Sequence, residues 1–313
     1  MNESGAVAPF LPSGQEPVPG SSIVLLVHGF NNDEVEAGDS YMAMREGLNT
    51  LLSRCAVDRQ TRRRFQSQIW ELYWPGYQPL TGVGPAGNRR TKWESGPSAL
   101  SYCMEVRKAR TWVADGLADY LRRHGPLNVF CVAHSLGCRV VTEVLKRLSG
   151  RGAKGVQCVG YLLMAAAVPN DKLGFFGELR EGARTPKKRY CLHSWQDGVL
   201  KYTFGPGQLL AGEVPPWGLP VAAGLGGRPR DLWSEHAATG LGHGGYWGDG
   251  LFRDVSVASQ VCENMFGLAM PRTLPTASIL AMPKTSGLSI LPERTLTSAG
   301  LRGQNWLRDQ FGA

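Results

Sequence analysis

The chain has 313 residues, of which 42% are hydrophobic, and a formal net charge of +8. That length is enough for one large domain with a substantial buried core. The longest apolar runs, residues 23–27 and 161–168, are far shorter than a membrane span. Residues 1–20 lack the pattern of a secretory signal peptide. We therefore expect a soluble protein, and the seven irregularly spaced cysteines predict reduced thiols and a cytoplasmic location.

Positive charge is concentrated in three clusters, at residues 61–65, 88–93 and 185–189. A basic surface can attract nucleic acid or anionic membranes, but no pattern of a nucleic-acid-binding module accompanies these clusters. We expect each cluster to be a solvated basic face at a loop or at the end of an element. The sequence predicts no nucleic-acid partner. It does not decide whether the protein makes peripheral contact with an anionic membrane.

Apolar runs alternate with helical spacings along the chain. Six strands are predicted, at residues 21–27, 67–74, 127–133, 156–168, 188–195 and 231–237. Helices are predicted over 40–54 and 100–123, directly after Ser135, and over 252–268. This alternation is typical of an α/β fold in which a mostly parallel, doubly wound sheet is covered by helices on both faces.

Two Gly/Pro-rich stretches, residues 75–99 and 205–230, interrupt this pattern and are predicted to be insertions over the carboxyl edge of the sheet. We expect residues 1–20 to form a loose arm, residues 21–269 to form the domain, and residues 270–313 to be an extension of unknown role. Sites in such sheets lie at the carboxyl ends of the strands. The residues at those ends are therefore the functional candidates.

Two strand ends have the residue pattern that nucleophilic catalysis needs. The strand before Ser135 runs into AHSLG (133–137), where small residues permit a sharp strand-to-helix turn that exposes the serine. The first strand ends in VHGF (27–30), where glycine lets the backbone turn and point N–H groups outward, toward a developing oxyanion. The alternative for Ser135 is an ordinary turn whose serine caps the helix.

A nucleophilic serine needs a histidine base and an acid that orients the base. Asp197 directly follows a predicted strand, and Asp171 at the preceding strand end is its rival. An ordinary Asp-Gly turn is the other interpretation of Asp197. After Asp197 the chain contains only His236 and His243. We favour His243 because its glycine-rich loop can carry an imidazole into a cleft, whereas His236 lies within a predicted strand.

A metal site is the alternative use of the same histidines. Glu235, His236, His243 and Asp249 could supply ligands, but they lack any recognised ligand spacing. The sequence therefore predicts no metal, and nothing in it calls for another cofactor.

Four segments together resemble the α/β-hydrolase superfamily: VLLVHGFNND, NVFCVAHSLGCRVV, HSWQDGVLKYTF and GHGGYW. The resemblance is strongest to a branch with a VHGFN oxyanion strand and a GHxxYW histidine loop. It spans residues 21–268, and it departs from the usual G-x-S-x-G pattern at Ala133. The resemblance implies a catalytic triad of Ser135, Asp197 and His243, and an oxyanion hole formed by the backbone N–H groups of Phe30 and Leu136.

The expected function is that of a carboxylesterase-like or lipase-like serine hydrolase, which forms an acyl-enzyme on Ser135. Its expected partner is a small-molecule or lipid ester. Because a fold does not fix a substrate, thioesterase, amidase and peptidase activities stay open. Two alternatives are kept: a phospholipase-type toxin or effector that acts on membranes and, from a different class, a hydrolase-like binding scaffold without turnover. The sequence does not predict an oligomeric state.

Overall fold

The computed structural model describes residues 18–30, 32, 34–54, 57–74, 99–149, 155–213, 215 and 218–247. Several predicted segments lie outside these residues: nearly all of the insertion 75–99, the helix 252–268, the extension 270–313 and most of the arm 1–20.

Six strands form one sheet in the order β2-β1-β3-β4-β5-β6, and every neighbouring pair is parallel. Their bounds are β1 Ser22–Val27, β2 Ile69–Leu72, β3 Leu127–His134, β4 Val156–Met164, β5 Lys188–His193 and β6 Glu235–Ala238. The chain moves from β1 outward to β2 and then returns to the other side of β1 for β3. The carboxyl ends of β1 and β3 therefore flank the point where the strand order reverses, which is where ligands bind in open α/β sheets.

Helices connect these strands. Those of the described ranges are α1 Glu34–Arg54, α2 Arg59–Ser67, α3 Ala99–Arg110, α4 Trp112–His124, α5 Gly137–Leu148, α6 Asn170–Leu173, α7 Arg180–Arg184, α8 Gly198–Tyr202, α9 Phe204–Leu210 and α10 Ala223–Gly226. Helix α5 packs against β1, β3 and β4. In the part of the chain that the structure describes, no helix combines the length and the apolar character needed to cross a bilayer.

The central strand β1 shows that both faces of the sheet are covered. Successive strand residues point to opposite faces, yet Val24, Leu25, Leu26 and Val27 are all fully buried. Burial on both faces requires the continuous apolar run that the sequence has here. The predicted doubly wound α/β fold is therefore confirmed. The strand–turn–helix at Ser135 is the arrangement that the α/β-hydrolase fold has at this place.

Several elements have other bounds than the apolar pattern predicts, and two of the differences have a visible cause in the backbone. The predicted helix 100–123 is divided into α3 and α4, because Thr111 between them has φ −110° and ψ −107° and is not helical. The predicted strand 156–168 is shorter, since β4 ends at Met164. The next residue, Ala165, has a φ of 46°, which takes the backbone out of the extended conformation.

The basic cluster 61–65 is not at a loop or at the end of an element as predicted, because it lies inside α2. The helix begins after Asp58, whose side chain accepts a hydrogen bond from the N–H of Thr61 at 2.9 Å. Such a cap satisfies one of the N–H groups left unpaired at a helix start. A capped helix can form here although Phe65 is its one fully buried apolar side chain among those described.

Candidate active site

Ser135 lies in the tight turn between β3 and α5. Its φ of 52° is in the left-handed region, which residues other than glycine rarely adopt. A β-carbon on Gly29 would lie 2.6 Å from the Ser135 Cβ, and one on Gly137 would lie 2.3 Å from the His28 carbonyl oxygen. Glycine at both positions therefore lets the end of β1 touch the turn and the start of α5. This contact explains the need for small residues around the serine.

Ser135, His243 and Asp197 form a continuous hydrogen-bonded chain. The Ser135 Oγ lies 2.9 Å from the His243 Nε2, and the His243 Nδ1 lies 2.7 Å from the Asp197 Oδ2. An ionised carboxylate can only accept a hydrogen bond, so Nδ1 carries the ring proton and Nε2 of the neutral ring accepts from the serine hydroxyl. This is the tautomer that a general base for serine needs.

Asp197 also begins α8. Its side chain is fully buried, and its Oδ1 accepts a hydrogen bond from the N–H of Leu200 at 2.9 Å. The two carboxylate oxygens therefore have separate partners, one in the helix and one in the imidazole. The Asp-Gly turn that the sequence offers as an alternative exists as this helix start, and it does not compete with the contact to His243.

The two rival residues lie elsewhere. Asp171 is in α6, and among the described residues its side chain makes no hydrogen bond to a histidine. His236 is exposed on β6, opposite Cys191 in register, and its ring centroid lies 5.7 Å from that of His193. The structure thus brings Asp197 and His243 to Ser135, but neither rival. Within the described ranges, no three His, Cys, Asp or Glu side chains are grouped so that they could hold a metal ion.

Phe30 and Leu136 are the residues that follow the two members of the close contact between Gly29 and Ser135. Neither of their backbone N–H groups donates a hydrogen bond to another described residue. The Phe30 ring packs edge-to-face on Tyr102 at 5.4 Å, which holds its backbone in place. Since α5 begins at Gly137, the positive end of its dipole adds to the same region.

His28 fixes the end of β1 beside the end of β2. Its Nδ1 donates to the Gly29 carbonyl oxygen at 2.9 Å, and its Nε2 accepts from the Trp74 N–H at 3.3 Å. The Trp74 indole N–H donates in return to the His28 carbonyl oxygen at 3.0 Å. The ring thus packs against Trp74, and it holds the turn that contains Gly29 and Phe30.

His134 reaches a residue that the sequence does not connect with it. Its Nε2 lies 2.7 Å from the backbone carbonyl oxygen of His243, 109 positions away. A carbonyl oxygen can only accept, so Nε2 is protonated and donates this bond. The bond fixes the backbone of the loop that carries the base. The single signal in the sequence is that His134 directly precedes Ser135.

The aromatic pair of the GHGGYW segment anchors the same loop. Tyr246 is fully buried, and the Trp247 ring packs edge-to-face on Tyr41 at 5.5 Å. Burial raises the pKa of the Tyr246 hydroxyl well above its usual value, so the group stays protonated. It accepts a hydrogen bond from the Thr239 hydroxyl at 3.4 Å. These contacts explain why the aromatic residues follow the histidine at this spacing.

No protein-family model matches the chain, and a comparison with curated proteins found no match. Several solved structures are similar at low identity. Esterase PE8 is 16% identical, with 79% of this chain and 93% of that one covered and a TM-score of 0.36. LpqC, a poly(3-hydroxybutyrate) depolymerase from Bordetella parapertussis, is 15% identical, with 84% and 83% covered and a TM-score of 0.37.

The phospholipase PlaB from Legionella pneumophila, solved in complex with thio-NAD, is 14% identical, with 59% of this chain covered and a TM-score of 0.28. The chain spans 40% of the length of that protein. Identities and TM-scores this low assign no substrate. The fold of the chain is seen in its own structure: a parallel, doubly wound sheet with the strand–turn–helix of the α/β-hydrolase fold at Ser135.

Proposed function

We propose that the chain is a serine hydrolase that cleaves carboxylic esters through an acyl-enzyme on Ser135. The hydrogen-bonded chain from the Ser135 Oγ through His243 to Asp197 is the observation that supports this function most directly. In the proposed reaction, the His243 Nε2 takes the hydroxyl proton as Oγ attacks the ester carbonyl carbon. The buried carboxylate of Asp197 stabilises the imidazolium that forms.

The proposed oxyanion hole consists of the N–H groups of Phe30 and Leu136. As Oγ bonds to the carbonyl carbon, negative charge develops on the carbonyl oxygen, and two donors fixed in advance stabilise it. The imidazolium of His243 then gives its proton to the leaving alcohol, and the acyl group stays on Ser135. Water, deprotonated by the same ring, hydrolyses the acyl-enzyme and restores the serine.

Esters with apolar groups are the substrate class that we propose. Trp195 follows the carboxyl end of β5, and Tyr202 is the last residue of α8, the helix that Asp197 caps; they are 61% and 70% exposed. Exposed aromatic side chains beside a site favour an apolar ligand. No comparable observation favours the phospholipase-type effector or the scaffold without turnover.

A fluorophosphonate probe tests the proposal, because it modifies serine only where the hydroxyl is activated. We expect mass spectrometry of the labelled chain to locate the adduct on Ser135. Ser135→Ala should abolish both labelling and hydrolysis of p-nitrophenyl butyrate. Ser194→Ala is the matched control, since Ser194 is also a buried serine at a strand end, but its Oγ accepts from the Gln196 N–H.

Two outcomes would refute the assignment. Substantial turnover by Ser135→Ala would mean that another residue is the nucleophile. A folded wild-type chain that neither reacts with the probe nor hydrolyses any ester would favour the binding scaffold.

A further inference from the structure

A cationic cleft lies between α1 and α2, away from the candidate active site. It is open to solvent and has a volume of about 440 Å³, and four arginines line it together with polar side chains. We call it the arginine cleft and define it by Arg45, Arg59, Arg62 and Arg63, with Asn49 and Glu46 at its α1 side.

The arginines converge because of their spacing. Arg59, Arg62 and Arg63 stand at positions i, i+3 and i+4 of α2, which lie on one face of a helix. Arg45 and Asn49 are an i, i+4 pair on α1. One carboxylate, that of Glu46, lines the cleft beside four guanidinium groups. Like charges at these spacings repel one another, so an anion between them would relieve the repulsion.

All three nitrogen atoms of the Arg45 guanidinium already donate hydrogen bonds within the fold. Its Nε donates to Glu71 at 2.5 Å, its Nη1 to the Gln66 carbonyl oxygen at 2.9 Å, and its Nη2 to the Ile69 carbonyl oxygen at 2.7 Å. These bonds connect α1 with the end of α2 and the start of β2. Arg45 therefore forms a fixed wall of the arginine cleft, and the proposed binding groups are the three α2 arginines that line it, Arg59, Arg62 and Arg63.

The three α2 arginines that line the cleft retain donors that have no acceptor among the described residues. The Arg62 Nε is buried and has no hydrogen-bond partner among the described residues, although its Nη1 donates to the Ser53 hydroxyl. Arg59 and Arg63 are exposed, and the salt bridges of the described ranges do not include them. A buried guanidinium N–H without an acceptor is costly, which gives an incoming oxygen a specific place to bind.

The arginine cleft lies toward the edge of the sheet opposite the candidate active site. Arg45 bonds to Ile69, the first residue of β2, so it is near the amino ends of the parallel strands. Ser135 follows the last residue of β3 and is at the carboxyl edge. A ligand in the cleft would therefore not occupy the position of an ester substrate.

We propose that the arginine cleft binds a phosphate-bearing anion, whose oxygens accept hydrogen bonds from Arg59, Arg62 and Arg63. The planar guanidinium fork matches phosphate oxygens two at a time. The volume of about 440 Å³ falls within the range of small-ligand sites, and three donors suit a group with more than one phosphate. Such a group is found in a soluble diphosphate ester or in the headgroup region of an anionic lipid.

The test compares two double variants of the whole chain. Arg59→Gln/Arg63→Gln removes two exposed arginines from the cleft. Arg107→Gln/Arg123→Gln removes two exposed arginines from α3 and α4 and is the matched control for net charge. Binding of inorganic pyrophosphate is measured by calorimetry, and cosedimentation is measured with phosphatidylcholine vesicles with and without phosphatidic acid. Circular dichroism checks that both variants are folded.

Wild type and control should bind at least one probe, and Arg59→Gln/Arg63→Gln should bind it at least about tenfold more weakly. Added salt should weaken the binding. Selective loss of pyrophosphate binding would identify a soluble phosphate as the ligand class, and selective loss of vesicle binding alone would identify a lipid headgroup. Equal binding by the two double variants, or no binding of either probe by wild type, would overturn the proposal. If the double variant fails to fold, Arg63→Gln and Arg123→Gln are compared singly.

Discussion

The carboxylate of Asp197 is shared between the imidazole of His243 and the start of α8. One oxygen accepts from the His243 Nδ1 at 2.7 Å, and the other accepts from the Leu200 N–H at 2.9 Å. Since the side chain is fully buried and both oxygens have partners, the carboxylate cannot rotate away from the ring. The orientation of the proposed base is therefore connected to the helix that Asp197 caps.

Asp197→Asn should lower kcat for a p-nitrophenyl ester by roughly 10⁴-fold. The asparagine oxygen can still cap α8, so the fold should be kept. Its amide cannot stabilise an imidazolium, and it favours the wrong tautomer of the ring. Steady-state rates give the result, with Asp171→Asn as the control that should keep the wild-type kcat. If Asp171→Asn is the more damaging change, the acid has been misassigned.

Gly137→Ala should destabilise the fold by about 1–3 kcal/mol. The new β-carbon would lie 2.3 Å from the His28 carbonyl oxygen and 2.6 Å from that of Val27, and both are backbone atoms that cannot move aside alone. Urea unfolding measures the change. Gly198→Ala is the matched control, because Gly198 is also the first residue of a helix and a β-carbon there meets nothing within 4 Å. Equal losses in the two variants would argue against the tight contact of β1 with α5.

Glu178 should stabilise the fold only while it is ionised. Burial by itself raises the pKa of this carboxyl, but the hydrogen bonds and charges of Lys172 and Lys146 outweigh burial and lower the pKa from 4.5 to about 2. The folded-state pKa lies below the unfolded one, so this stabilisation is complete above pH 4.5 and is lost as the pH falls through about 2.

The dependence of the Tm on pH tests this role of Glu178. Glu178→Gln should lower the Tm near neutral pH, and its difference from wild type should vanish toward pH 2. Glu181→Gln is the control, because Glu181 is an exposed carboxylate of α7 that forms no salt bridge within the described ranges. A Tm difference for Glu178→Gln that stays constant with pH would contradict the expected role of the two lysines.

The positions of β1, β3, β4 and β5 could be predicted from the sequence because a strand buried on both faces must be apolar throughout. The largely exposed β6 begins at Glu235, later than predicted. The same rule explains the error at the end of β4. Ala165, Ala166, Ala167 and Val168 are buried like the strand before them, but they no longer belong to it. An apolar pattern indicates which residues are buried, but it does not indicate which backbone groups pair across a sheet.

The candidate site could be predicted as far as strand ends and glycine-rich turns define it. That Ser135, Asp197 and His243 meet follows from parallel strands whose carboxyl ends share one edge. Contacts between distant loops could not be predicted in this way. The bond from His134 to the His243 backbone depends on the path of a loop 109 positions away, and no local pattern encodes that path.

His134 should act as a positioning residue for the base, because its Nε2 donates to the His243 carbonyl oxygen at 2.7 Å. His134→Leu removes the donor and should lower kcat by about 10- to 100-fold with little change in KM, since small displacements of a reacting group are costly. His134→Gln, whose amide can donate from a similar position, should restore part of the rate. His124→Leu is the matched control, because its Nδ1 donates to the Tyr120 carbonyl oxygen at 2.8 Å on a distant helix. If the two leucine variants lose kcat equally, or if glutamine at 134 restores nothing, His134 has only a packing role.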